Sequence, residues 1–323
     1  MGSRARAAAA DELSSMSVGR SILLAASRSN TLNDFALRSS FVKRATHRFM
    51  PGEHAEDALA AAAHIAATGR GVIFTQLGES ITRAEAAEKV RDHYLWLFDR
   101  IAETRLPAHV SVKPTQLGLD LSIGQCERRL LELAAKAEQT RSTLWLDMED
   151  SAYVDRTLDL YRAIHEKHPA TGVAMQAYLR RTADDLSKLM PLKPMIRLVK
   201  GAYDESARVA FEKKSDTDRA YYDIASGMLE ATRTRVCTSI FGTHDSAVVS
   251  RIAERAKALG VAKDKYEIHM LYGIRDAAQR ALAGEGHTVK TLISYGSAWY
   301  RWYMRRLAER PANVLFVVKS LIA

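Results

Sequence analysis

From residue 71 to residue 294 the chain alternates two patterns. Short runs rich in apolar and β-branched residues recur at GVIFTQL (71–77), HVSVK (109–113), STLWLDME (142–149), GVAMQAY (172–178), MIRLVK (195–200), TSIFGTH (238–244), YEIHML (266–271) and VKTLIS (289–294). Runs this short and this apolar predict strands buried on both faces. Between them, 81–103, 124–139, 154–167, 183–190, 218–235 and 246–260 carry apolar residues three and four apart, the spacing of amphipathic helices. Strand then helix, repeated about eight times, predicts an α/β fold, a (βα)8 TIM-type barrel. A doubly wound open sheet uses the same units. The repeat count favours closure, and no GxGxxG follows an early strand.

Residues from about 10 to 68 read as helical, with Met50-Pro51-Gly52-Glu53 as punctuation and Gly69-Arg70-Gly71 as the stop. The expected division is an N-terminal helical extension, 1–68, and a barrel catalytic domain, 69–323. Near the C-terminus, WYRWYMRRLAERPAN predicts a short helix with Arg305 and Arg306 at its centre.

Composition narrows the picture only a little. The 323 residues are 47% hydrophobic and 26% charged, ordinary for a globular protein. A net charge of +9 favours anionic surfaces without choosing among them. The basic residues are interspersed with acids, aromatics are few and no reader motif appears, which argues against nucleic acid. Cys126 and Cys237 match no ligand spacing, so they read as incidental thiols of a reducing cytosol. No apolar run is long enough to span a bilayer. Asp11 and Glu12 interrupt any secretion signal, and Arg6 stands where myristoylation needs Ser or Thr.

Barrel enzymes gather their chemistry at the C-terminal ends of the strands, and here those ends are unusually polar. They carry Lys113, then Asp147-Met148-Glu149-Asp150, Gln176, Arg197 with Lys200-Gly201, Thr243-His244-Asp245, and Glu267 with His269. Any one of these fits a capping residue or rim charge, but the set is costly without partners or a ligand. In Lys200-Gly201-Ala202-Tyr203, the glycine exposes backbone amides at a strand-to-helix turn, which suits an anion. Arg305 and Arg306, flanked by Trp299, Trp302 and Tyr303, suit a small carboxylic acid with an apolar body. The same dipeptide also fits a solvated helix face. Two other chemistries compete: a Schiff base on Lys113 or Lys200, and a metal on Glu267 and His269 with Asp147 or His244.

The ordered set VSVKPTQLGLD, LDMEDS, QAYLRRTADDL, RLVKGAY, GTHD, HMLYG and YGSAWYRWYMRRLAERPAN, from about Phe49 to Asn313, resembles the flavin-dependent proline dehydrogenase family. The resemblance implies a distorted (βα)8 barrel with a C-terminal helix over its mouth. It implies noncovalent FAD, oxidation of L-proline to Δ1-pyrroline-5-carboxylate, and electrons passed to membrane quinone. Arg305, Arg306 and Lys113 would grip the substrate carboxylate, Asp147 would order them, and Leu271 and Trp302 would pack at the ring. Gln176, Arg197, Lys200, Gly201, Ala202, Tyr203, Thr243 and His244 would hold the flavin, with Arg197 near its reactive nitrogen. Glu53 and Glu309 fall among charged residues around the site. Basic charge with a helical N-terminus suggests a cytoplasmic protein, loosely attached at the inner face of the membrane.

The sequence departs from the family pattern on the ring side. Trp302 and Leu292 stand where tyrosines are usual, and Glu-Phe-Gln becomes Glu267-Ile268-His269. These changes raise a second expectation: the same flavin amine oxidation on a related secondary-amine or hydrazine amino acid.

Overall fold

The computed structural model describes residues 46–308, of which 301 and 305–308 as backbone only. Eight parallel strands, β1 (Gly71–Gln76), β2 (Ala108–Val112), β3 (Leu144–Leu146), β4 (Thr171–Gln176), β5 (Met195–Val199), β6 (Thr238–Gly242), β7 (Tyr266–Leu271) and β8 (Thr288–Tyr295), form a closed barrel in chain order. Closure is made by β1 against β8, paired from Gly71↔Lys290 to Gln76↔Tyr295. The fold is the (βα)8 barrel that the repeat predicts.

The described helices are α1 (Ala55–Ala66), α2 (Ala84–Thr104), α3 (Ile123–Gln139), α4 (Val154–His165), α5 (Thr182–Leu189), α6 (Lys214–Arg233), α7 (Ser246–Ala258), α8 (Asp276–Gly284) and α9 (Trp299–Ala308). Their local causes are plain in α3. Ser122 caps it by accepting from the Gln125 amide, and Cys126, Leu130, Leu133, Ala134 and Ala137 form its buried stripe. Arg129 lies in that stripe, buried, and reaches Glu88 of α2 at 2.8 Å and the Leu117 carbonyl at 3.0 Å. In α7, the Asp245 side chain accepts from the Ala247 and Val248 amides. Helix α1 packs on β1 and β8.

By contacts, Phe49–Tyr295 is one compact unit holding the barrel, and α9 belongs to a second unit with the residues before Phe49. Residues 1–45 and 309–323, and with them most of the predicted N-terminal helical zone, lie outside the described residues. No described helix is long and apolar enough to cross a membrane.

The strands bury both faces. Outward residues such as Val72, Phe74, Val110 and Leu198 meet the helices in the main core. Inside the barrel, Ile73, Trp145 and Ile240 pack together with Met195 and Leu292. Trp145 fits only because β4 carries Gly172. A Cβ there would lie 2.3 Å from the indole.

Candidate active site

Alternation along each strand decides which side chains face the barrel interior. On β2 the inward positions include His109 and Ser111, on β5 Arg197, on β7 Glu267, His269 and Leu271, and on β8 Lys290, Leu292 and Ser294. The level of each follows from the register: Arg197 pairs Ile240, Glu267 pairs Thr288, and Leu271 pairs Leu292.

Arg197 is 3% exposed and forms the centre of the upper interior. Its Nη2 ion-pairs with Asp147 and donates to Ser111 Oγ at 2.8 Å. Ser111 Oγ in turn donates to Asp147 Oδ1 at 2.7 Å. The guanidinium lies over the Trp145 ring, 4.9 Å from the centroid, an arrangement that favours a cation. Burial lowers its pKa and Asp147 opposes the shift; from so high an ordinary value, Arg197 stays charged. The second nitrogen, Nη1, is buried and has no hydrogen-bond partner among the described residues.

Lys113 follows β2 at the start of the turn Pro114–Leu117 and is 9% exposed. Among the described residues it has no ion-pair partner within 4 Å. Glu149 is held by the Thr115 amide at 3.0 Å and hydroxyl at 2.6 Å. Burial raises the Glu149 pKa, with these bonds and the Lys113 charge opposing. Gln176 Nε2 donates to the Glu149 carbonyl at 2.8 Å, linking the ends of β3 and β4. Asp150 caps the next turn by accepting from the Ala152 amide.

Lys200 and Gly201 do not open directly onto a helix, as the expected strand-to-helix turn would have it. Thirteen residues, 201–213, separate it from α6. Its ammonium reaches Asp218 at 2.5 Å and Asp245 at 3.2 Å, anchoring the loop to α6 and to the start of α7. Those bonds hold both carboxyls below their usual range, although burial pushes them up. Gly201 has φ +113°, and a Cβ there would lie 2.2 Å from the Tyr178 ring, so this position needs glycine. Ala202 and Tyr203 follow, half-buried, in the same loop. Glu205 clasps the amide and hydroxyl of Ser151, each at 2.6 Å, joining this loop to the one after β3.

Thr243 is buried, and its hydroxyl accepts from the Asp245 amide at 3.2 Å. His244 Nε2 accepts from the Leu271 amide at 2.9 Å, which fixes its tautomer with the proton on Nδ1 when neutral. Leu271 is half-buried at the end of β7. Trp302 is buried in α9, where Trp299 meets Tyr300 and Tyr303 edge-on at 6.4 and 6.2 Å. Arg305 and Arg306 belong to α9, but their side chains, and all of Glu309, lie outside the described residues. Glu53 is half-buried just before α1. The barrel unit thus gathers Lys113, Asp147, Gln176, Arg197, Lys200, Thr243, His244 and Leu271 at strand ends.

Glu267 and His269 lie deeper. His269 Nε2 bonds Glu267 Oε2 at 2.7 Å, and Lys290 holds the other carboxylate oxygen. Burial pulls His269 down to about 4 despite Glu267. Glu267, which burial alone would raise, is held well below the carboxylate range by His269 and Lys290. A neutral His269 donating from Nε2 leaves Nδ1 as an acceptor, and that atom is buried without a partner. Beside it, Trp145 Nε1 donates to His109 Nδ1 at 3.1 Å. Sequence reading missed Ser111, Trp145 and Lys290. Ser111 is two residues before Lys113 on the same face, so strict period-two reading would have found it.

Charged groups collected inside the C-terminal end of a closed barrel define an enzyme of the (βα)8 class. The sequence model of the family "Proline dehydrogenase" matches residues 58–319. Proline dehydrogenase 2 of Bacillus subtilis subsp. natto is 34% identical over 307 residues, covering 95% of this chain and 99% of that protein. Proline dehydrogenase of Deinococcus radiodurans is 34% identical over 285 residues, 85% of this chain and 89% of that one. Crystal structures of proline utilization A share the fold: that from Bdellovibrio bacteriovorus with TM-score 0.75 at 21% identity, and a Bradyrhizobium japonicum mutant with 0.71 at 24%. They cover 82% and 86% of this chain, which spans about a third (32%) of each of those longer proteins. The chain belongs to the proline dehydrogenase family, oxidoreductases acting on a CH–NH bond.

Proposed function

We propose that this protein oxidises L-proline to Δ1-pyrroline-5-carboxylate with noncovalently bound FAD and passes the electrons to a membrane quinone. The observation that carries the reading is Arg197: one guanidinium nitrogen is fixed by Asp147 and Ser111, and the other is a buried donor without a partner among the described residues. Such a donor is costly unless a ligand acceptor meets it. The residues present therefore fit a flavin. Arg197 would face its reactive edge; Gln176, Lys200, Gly201, Ala202, Tyr203, Thr243 and His244 would hold the rest. When bound, FAD supplies the two-electron acceptor for a C–H bond next to nitrogen.

The chain's own residues bind and orient. Lys113 is a buried cation with no ion-pair partner within 4 Å among the described residues, suited to a carboxylate. We assign Arg305 and Arg306 the same task, on the family resemblance. Asp147 keeps Arg197 aimed and balances part of the positive charge. A cationic pocket also favours the neutral amine, whose lone pair supports the developing C=N bond. Lys200 is engaged by Asp218 and Asp245 at 2.5 and 3.2 Å, which holds its nitrogen in the loop anchor and away from the role of a Schiff-base nucleophile. Peripheral attachment at the cytoplasmic face of the membrane belongs to the same proposal, because the acceptor is there.

The test is the purified protein. Flavin absorption bands and proline-dependent reduction of a soluble quinone analogue are expected. Colourless, folded protein that takes up no added FAD would overturn the reading, and borohydride trapping of a substrate adduct would replace it with a lysine mechanism.

A further inference from the structure

The segment between β3 and α4 lines the site with little help from the sheet. β3 ends at Leu146, and the Asp147 amide still donates to the Val112 carbonyl at 2.8 Å. Beyond it, side chains from other elements take hold. Asp147 meets Arg197 of β5. Glu149 is gripped at its carboxylate by Thr115, two residues past Lys113, and at its carbonyl by Gln176 of β4. Ser151 opens the turn Ser151–Tyr153 and is gripped by Glu205. Of these grips, only Glu205 comes from the loop after β5.

That loop carries Gly201, Ala202 and Tyr203, assigned above to the flavin. Lys200 ties its start to α6 and α7. Its second half is pinned to the turn after β4. There the Arg180 amide donates to the Val209 carbonyl at 3.0 Å and the Phe211 amide to the Tyr178 carbonyl at 2.8 Å. The Arg180 guanidinium also lies over the Phe211 ring, 4.8 Å from its centroid. Between these anchors, half-buried Glu205 takes both donors of Ser151, amide and hydroxyl, at 2.6 Å each. A charged acceptor on two donors is a strong contact for its size. Residues 201–204 thus hang between Lys200 and Glu205, and the second of those supports belongs to the segment that carries Asp147.

We propose that Glu205 is a positioning residue that couples the two halves of the site. By holding Ser151, it makes the placement of Gly201–Tyr203 and that of Asp147 and Glu149 depend on each other. Filling the flavin loop then tightens the grip on the substrate acid. The inference rests on the amine-oxidation reading and deepens it. Both carboxylate oxygens of Glu205 are engaged by Ser151, so it acts through that residue rather than on a ligand. Such coupling is reciprocal: the acid tightens FAD by the factor with which FAD tightens the acid. A clasp that was only structural would behave differently. Its loss would weaken the fold, or both ligands, without changing how each depends on the other.

The experiment titrates the full-length protein with FAD, followed by flavin fluorescence, with and without a saturating probe acid. The probe is the five-membered cyclic acid with oxygen in place of the ring nitrogen, which cannot form the C=N bond. The ratio of the two dissociation constants is the coupling factor. In wild type the acid is expected to tighten FAD about tenfold. Glu205→Ala should lose most of that factor, and Ser151→Ala, which keeps the amide, a part of it. Ser151→Thr keeps the hydroxyl and should keep the factor. A factor unchanged in both Glu205→Ala and Ser151→Ala would overturn the proposal, even where the melting temperature or FAD affinity drops. If Glu205→Ala does not fold, Ser151→Ala decides alone. Wild type that binds FAD with a factor of one sinks the coupling and leaves the flavin reading standing. Wild type that takes up no FAD fails differently: the flavin reading falls, and the coupling with it.

Discussion

Asp147 is the counter-ion of a guanidinium that is almost wholly buried. Asp147→Asn keeps the shape and strands the charge, so a loss of about 3 kcal/mol in stability is expected, measurable as a lower denaturant midpoint. Proline turnover should fall further, because Arg197 is then free to turn. His269 adds a pH signature. Its pKa is lowered to about 4 in the fold, so the unfolded chain binds its proton first. Its contribution is fully present above about 6.5 and is lost as pH falls towards 4. Denaturant melts of His269→Gln, whose amide can still donate to Glu267, should show a flatter decline across that window than the parent. Residues at this scale were legible when they were charged and at a strand end, as Lys113, Asp147 and Arg197 were. Ser111 was legible only through its spacing from Lys113, and Trp145 and Lys290 were not, because the groups they meet lie on other strands.

Among the elements, the loop from Lys200 to α6 departs most from what its sequence suggests. Lys-Gly reads as a strand-to-helix turn, but 201–213 is a long excursion held by Lys200 to Asp218 and Asp245, and by Glu205 to Ser151. Gly201→Ala would need both a left-handed φ and room taken by Tyr178. A stability loss of about 1–3 kcal/mol is expected in thermal melts, with weaker FAD binding in a fluorescence titration. The strands themselves were readable because burial on both faces demands apolar runs, and the eight predicted runs coincide with β1 to β8. The third was drawn too long: only Leu144–Leu146 pairs as a strand, and Asp147 to Asp150 serve the site and its turns. Helix α8 was not among the predicted helices. Its short run DAAQRALAG has only Gln279 fully buried, so it shows no strong apolar stripe.

For the whole molecule, closure was legible from the repeat count alone, whereas the contents of the barrel were not. Nothing in the patterns announces that Gly172 makes room for Trp145, or that Lys290 crosses to Glu267, because both depend on neighbours far away in sequence. The net charge of +9 acts at this scale too. If the protein docks at a membrane, it should sediment with anionic vesicles at low ionic strength and be released by salt, since screening shortens the reach of exposed charges. Neutral vesicles should not retain it.

The indole wedged against Gly172 has an optical consequence. Trp145 lies beneath the Arg197 cation and beside two imidazoles, so its ultraviolet emission depends on whatever settles next to that cation. Excitation energy passing from indole to a yellow chromophore would dim it, giving the barrel an internal gauge of occupancy that needs no attached dye.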